Sequence, residues 1–83
     1  MKYDIRLSDE LWATRLLPEG MVEKWNAPDG ARVAIGETLT VVRIEGALHN
    51  VSAPCKGRLS ITARENDLVE PGSILGSVET VEV

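Results

Sequence analysis

Ile44-Glu45-Gly46-Ala47-Leu48 reads as a tight turn between two short apolar strands. A Glu-Gly pair suits a two-residue hairpin loop, whose central positions need a positive φ that glycine adopts freely. Seven residues past Gly46 come Ala53-Pro54, then Gly57 and a further apolar run.

Outward from this turn the chain repeats itself. Gly20-Met21-Val22-Glu23-Lys24-Trp25 is followed by Pro28-Asp29-Gly30, then Val33, Gly36 and Leu39. Gly57-Arg58-Leu59-Ser60-Ile61 is followed by Glu65-Asn66-Asp67, then Val69, Gly72 and Leu75. Gly30, Val33, Gly36 and Leu39 shift by 36 residues onto Asn66, Val69, Gly72 and Leu75. Asparagine is among the few residues that tolerate the left-handed backbone, so Asn66 in place of Gly30 preserves the turn. Neither half can bury its own apolar face. The pattern predicts an all-β, quasi-symmetric fold of two small sheets packed face to face around Val, Leu and Ile. The last strand, around residues 74–83, is expected to close the second sheet near the first strand.

The N-terminal segment fits the same scheme. Tyr3, Ile5 and Leu7 alternate with Lys2, Asp4 and Arg6, the period of a half-buried strand. Ser8 can cap a helix whose first turn holds Asp9 and Glu10, so a short helical turn is predicted near residues 8–14 before Pro18-Glu19-Gly20 interrupts it. Residues 1–18 are read as a strand-and-loop extension of the one domain whose body is residues 19–83.

Size and composition narrow the function classes. An 83-residue chain builds one domain with one modest core. With only 4% aromatic residues and no Phe, that core must be aliphatic. A net charge of −4 offers no basic surface to nucleic acid or anionic lipid, so neither is an expected partner. The single cysteine, Cys55, excludes an internal disulfide framework. The opening Met-Lys-Tyr-Asp-Ile-Arg shows no apolar signal region, and a reducing, cytoplasmic setting is the expectation.

The ordered set Glu19-Gly20, Trp25, Asp29-Gly30, Val33 and Gly36, then Ala53-Pro54, Gly57, Asp67, Val69 and Gly72, resembles the biotinyl/lipoyl domain family over about residues 19–79. The resemblance implies a flattened β-barrel of two quasi-symmetric, roughly four-stranded antiparallel sheets, a barrel-sandwich hybrid. It also implies a carrier role. Members present a lysine at the hairpin turn, whose amine is joined to lipoate or biotin by an amide. Lipoyl domains usually read Asp-Lys-Ala at that turn and biotin carriers Met-Lys-Met. Here the turn is Glu45-Gly46-Ala47, closer to the lipoyl branch but with glycine at the acceptor position. An amide needs an amine nucleophile, and Gly46 has none.

Other residues offer little chemistry. Lys56, in the Pro54-Cys55-Lys56-Gly57 turn, is the alternative attachment point, read first as a solvated lysine. Lys24 is expected to point outward, its stem covering apolar surface. Cys55 reads as a small turn residue. His49 lies three residues past Gly46, close enough to flank the hairpin tip, and is read first as a structural or solvent-facing histidine. One His with no partnering Ser or Cys makes no triad, and one Cys with one His builds no standard metal site. The glutamates are scattered, save Glu45 beside the turn. Trp25 reads as a core anchor. Trp12, outside the repeated pattern, is a candidate docking residue, since aromatic anchors dominate interfaces.

The expectation is a non-enzymatic, stand-alone domain that has lost the modifiable lysine. It would serve as a docking, adaptor or regulatory module beside a lipoate- or biotin-dependent multienzyme complex, with no cofactor or metal of its own. Its recognition surface would be Glu45, Gly46, Ala47 and His49, with Trp12. The alternative is a genuine acyl or carboxyl carrier of a 2-oxo acid dehydrogenase or carboxylase system, holding lipoate or biotin at an unusual site such as Lys56. Domains of this shape also occur in membrane-fusion proteins of transport systems, set there between long helical hairpins.

Overall fold

Alternation and turn chemistry translate directly into strands. In the computed structural model, which describes residues 1–8 and 19–80, the chain forms eight strands. They are β1 (Lys2–Arg6), β2 (Gly20–Trp25), β3 (Arg32–Val33), β4 (Thr38–Ile44), β5 (Ala47–Ser52), β6 (Gly57–Ile61), β7 (Leu68–Val69) and β8 (Ile74–Glu79). No helix is present among the described residues. The helical turn expected near residues 8–14 falls, from residue 9 on, outside them.

The strands make two four-stranded sheets, ordered β1-β8-β6-β3 and β5-β4-β2-β7. Every pairing is antiparallel. As expected, the last strand lies beside the first, Lys2 opposite Glu79 and Asp4 opposite Ser77. Each sheet draws strands from both halves of the repeat: β7 pairs with β2, and β3 with β6. The halves therefore interlock, which is why neither can bury its apolar face alone.

The 36-residue repeat is visible in individual bonds. Gly30 N donates to Leu59 O at 2.7 Å, and Leu59 N returns a bond to Ala31 O at 2.8 Å. In the other half, Asn66 N donates to Val22 O at 2.8 Å, and Val22 N to Asp67 O at 3.0 Å. Gly30 (φ 86°) and Asn66 (φ 70°) both hold the left-handed conformation their alignment predicts. The later turns match too. Ala34 N donates to Glu37 Oε1 at 3.0 Å, and Glu70 N to Ser73 Oγ at 2.8 Å. Two different side chains make the same bond at equivalent positions. The order β5-β4-β2-β7 maps onto β1-β8-β6-β3, so β5 and β1 are quasi-equivalent edge strands.

The core is aliphatic. Val22, Leu39, Val42 and Ile44 meet Leu7, Leu59, Leu75 and Val78, each no more than 2% exposed. Full burial of each such side chain stabilises the fold by roughly 1.5–3 kcal/mol relative to exposure. Trp25 packs against this cluster from its margin, and its indole N–H donates to Ala63 O at 2.8 Å. Buried Thr40 is satisfied by donating from Oγ1 to Lys24 O at 2.6 Å.

Candidate functional site: the β4–β5 hairpin

The hairpin that links β4 to β5 turns in two residues, with Ile44 paired to Ala47 across the loop. Glu45 (φ 48°) and Gly46 (φ 85°) both lie in the left-handed region, the signature of a type I′ turn. That turn matches the right-handed twist of the flanking strands, as the Glu-Gly pair foretells. A side-chain Cβ built on Gly46 would meet no atom within 4 Å, so the tip is sterically open.

Glu45, Gly46 and Ala47 therefore converge at the tip, Glu45 and Gly46 exposed and Ala47 half-buried. His49 is placed differently from a tip-flanking residue. It pairs with core residue Val42 and shares the inward face of β5 with Ala47 and Val51, and its buried Nε2 has no hydrogen-bond partner. Period 2 turns every second residue inward, and the register puts 49 on the inner set. The outward set begins with Leu48, 58% exposed. Beside it Arg43 extends along the outer face and pairs with Glu23 at 2.9 Å. Leu48 and Arg43 were not singled out in the sequence; alternation from Ile44 would have placed both outward.

The other expected positions are dispersed. Lys24 is exposed on β2 and Lys56 exposed in the turn before β6, so the hairpin holds none of the three lysines. Cys55 is half-buried against the core cluster. Trp12 lies outside the described residues. Among the described residues no group of His, Cys, Asp and Glu could hold a metal, and no helix is long and apolar enough to cross a membrane. An open cleft of about 600 Å³ lies between the quasi-equivalent loops, lined by Trp25, Asn26, Asp29 and Arg64 among others. Asp29 there is structural, accepting from Ile61 N at 2.8 Å.

Strain at the tip is measurable. Glu45 occupies a conformation that Asn adopts more readily. Glu45→Asn is expected to stabilise the domain by about 0.5–1 kcal/mol, a Tm rise of roughly 3–6 °C in a thermal melt. A fall in Tm would contradict the left-handed geometry at residue 45.

No family model matches the sequence, and no curated protein matches it. Solved structures do. One is the lipoyl domain of the 2-oxoglutarate dehydrogenase complex from Azotobacter vinelandii, with a TM-score of 0.75, 23% identity, and coverage of 93% of this chain and 95% of that one. Another is a single-chain, multi-domain long-chain acyl-CoA carboxylase, with a TM-score of 0.76 and 20% identity. That match covers 99% of this chain, which spans 7% of the carboxylase. The chain thus has the lipoyl/biotinyl-like fold, a flattened barrel of two four-stranded antiparallel sheets. At the position where the resemblance expects the acceptor lysine, an exposed type I′ turn carries glycine. The tip residues do not fit an amide-linked lipoate or biotin.

Proposed function

We propose that this is a lipoyl/biotinyl-like domain that acts by binding rather than by carrying a cofactor. It docks to a protein of a lipoate- or biotin-dependent multienzyme complex as an adaptor or regulatory module. The observation that carries this reading is an intact, open hairpin whose tip is Gly46, without an amine to acylate. Glu45 adds support. Its backbone is held in a left-handed conformation that costs stability, and strain of this kind collects at functional positions. The docking surface is then the flat tip of Glu45, Gly46 and Ala47. The domain has no catalytic role of its own. Its setting, on this reading, is the cytoplasm.

The intact mass of the protein from its native cells tests this. The expected mass is that of the unmodified chain, allowing for loss of Met1. An added mass matching lipoate or biotin would overturn the proposal in favour of a carrier, and fragmentation would show whether Lys56 holds the group.

A further inference from the structure

The quasi-two-fold supplies a comparison within the molecule. Edge strands β1 and β5 are equivalent, yet their chemistry differs. Lys2-Tyr3-Asp4-Ile5-Arg6 carries three charged residues, the usual protection of an exposed edge against pairing. Ala47-Leu48-His49-Asn50-Val51-Ser52 contains no Lys, Arg, Asp, Glu or Pro. Because Ile44 and Ala47 close the hairpin as a hydrogen-bonded pair, the unbroken register makes Arg43–Leu48 and Val41–Asn50 the non-bonded pairs. The backbone N–H and C=O of Leu48 and Asn50 therefore face the open side of β5. No described residue caps them. The remaining edges, β3 and β7, are only two residues long.

The outer faces differ in the same sense. Across the first sheet, Lys2, Glu79, Arg58 and Arg32 stand directly opposite one another in a charged row. The equivalent row across the second sheet is Leu48, Arg43, Met21 and Leu68. Leu48 and Leu68 are 58% and 72% exposed, and Arg43 is occupied by Glu23. The apolar row ends at Leu48, on an edge that no described residue covers.

We propose that β5 pairs with itself: two copies of the chain join antiparallel through this strand, about a dyad at His49 that sets Leu48 of one copy opposite Asn50 of the other, into one continuous eight-stranded sheet. A second copy is the occupant that the chemistry selects. A dyad aligns β5 with its own uncharged sequence and brings the two Leu48 side chains to neighbouring positions on one face. Pairing to β1 would set its charged face, Lys2, Asp4 and Arg6, against Leu48. Each copy carries a net charge of −4, so association opposes long-range repulsion and strengthens with added salt.

Sedimentation equilibrium of the purified chain, from micromolar to millimolar concentration, tests this. The mass is expected to rise from 9.0 kDa towards twice that value, further at higher salt. Asn50→Lys and Leu48→Lys each place like charges beside the dyad and are expected to weaken association about tenfold or more. Both residues are exposed, so circular dichroism should show the fold unchanged. Asp4→Asn, on the equivalent strand, should leave the dimer intact. Amide exchange at Leu48 and Asn50 should slow as concentration rises. A wild-type mass that stays monomeric through millimolar concentration overturns the proposal and leaves the edge to an extended segment of another protein. A dimer indifferent to both lysine variants overturns it as well.

Discussion

Gly46→Lys is expected to turn a hairpin with no amine at its tip into one that a lipoate ligase lipoylates. Around residue 46 the hairpin offers a two-residue loop, an acid before the new lysine, an alanine after it, and open space around the Cβ. The cost is conformational. At φ 85° an L-residue is less comfortable than glycine, by about 1 kcal/mol. A domain of this size has roughly 5 kcal/mol or more to lose, so the variant should remain folded. The readout is intact mass after incubation with ligase, lipoate and ATP, beside a thermal melt. Wild type should gain no mass at residue 46, and the variant should gain one lipoyl group per chain. A folded variant that stays unmodified would mean that this hairpin differs from the lipoyl turn in a way beyond its missing side chain.

The second large effect concerns the scaffold. Gly57 opens β6 where its backbone passes against β8, and a Cβ there would fall on the carbonyl oxygen of Glu79, with Val78 Cγ1 at 3.0 Å. The obstacle is backbone held in the ladder between β6 and β8, so no rotamer change relieves it. Gly57→Ala is expected to destabilise the domain by about 3 kcal/mol, at the upper end of overpacking costs. In a chain of this length that lowers Tm by roughly 12–24 °C. A melt within a few degrees of wild type would show that β6 and β8 stand further apart than described. This variant leaves the hairpin tip untouched, which separates scaffold failure from loss of the docking surface.

Much of this was legible in the sequence because it is local. Gly30 and Asn66 encode their turns through left-handed propensity, and Asp67 adds a local side-chain bond, accepting from Arg64 N at 2.8 Å. Gly46 encodes the hairpin loop through the same left-handed freedom, while Glu45 is strained there. The aliphatic core followed from composition, and β8 beside β1 from the closure of the repeat. His49 was not legible to the same degree. A histidine three residues past a turn faces the tip or the core according to the parity set by its strand register, and the partner strand decides that parity.

The amino-acid sequence alone determined the repeat, the turn positions, the aliphatic core and the absence of an amine at residue 46. All of these rest on interactions within a few residues or on side-chain chemistry that no fold can change. Only the tertiary structure decided that the halves interlock, that His49 points inward, and that Leu48, Arg43, Met21 and Leu68 form one row beside an edge that no described residue covers. Those features join residues far apart in the chain. They exist only once backbone hydrogen bonds set four strands in register, and no local preference carries that register.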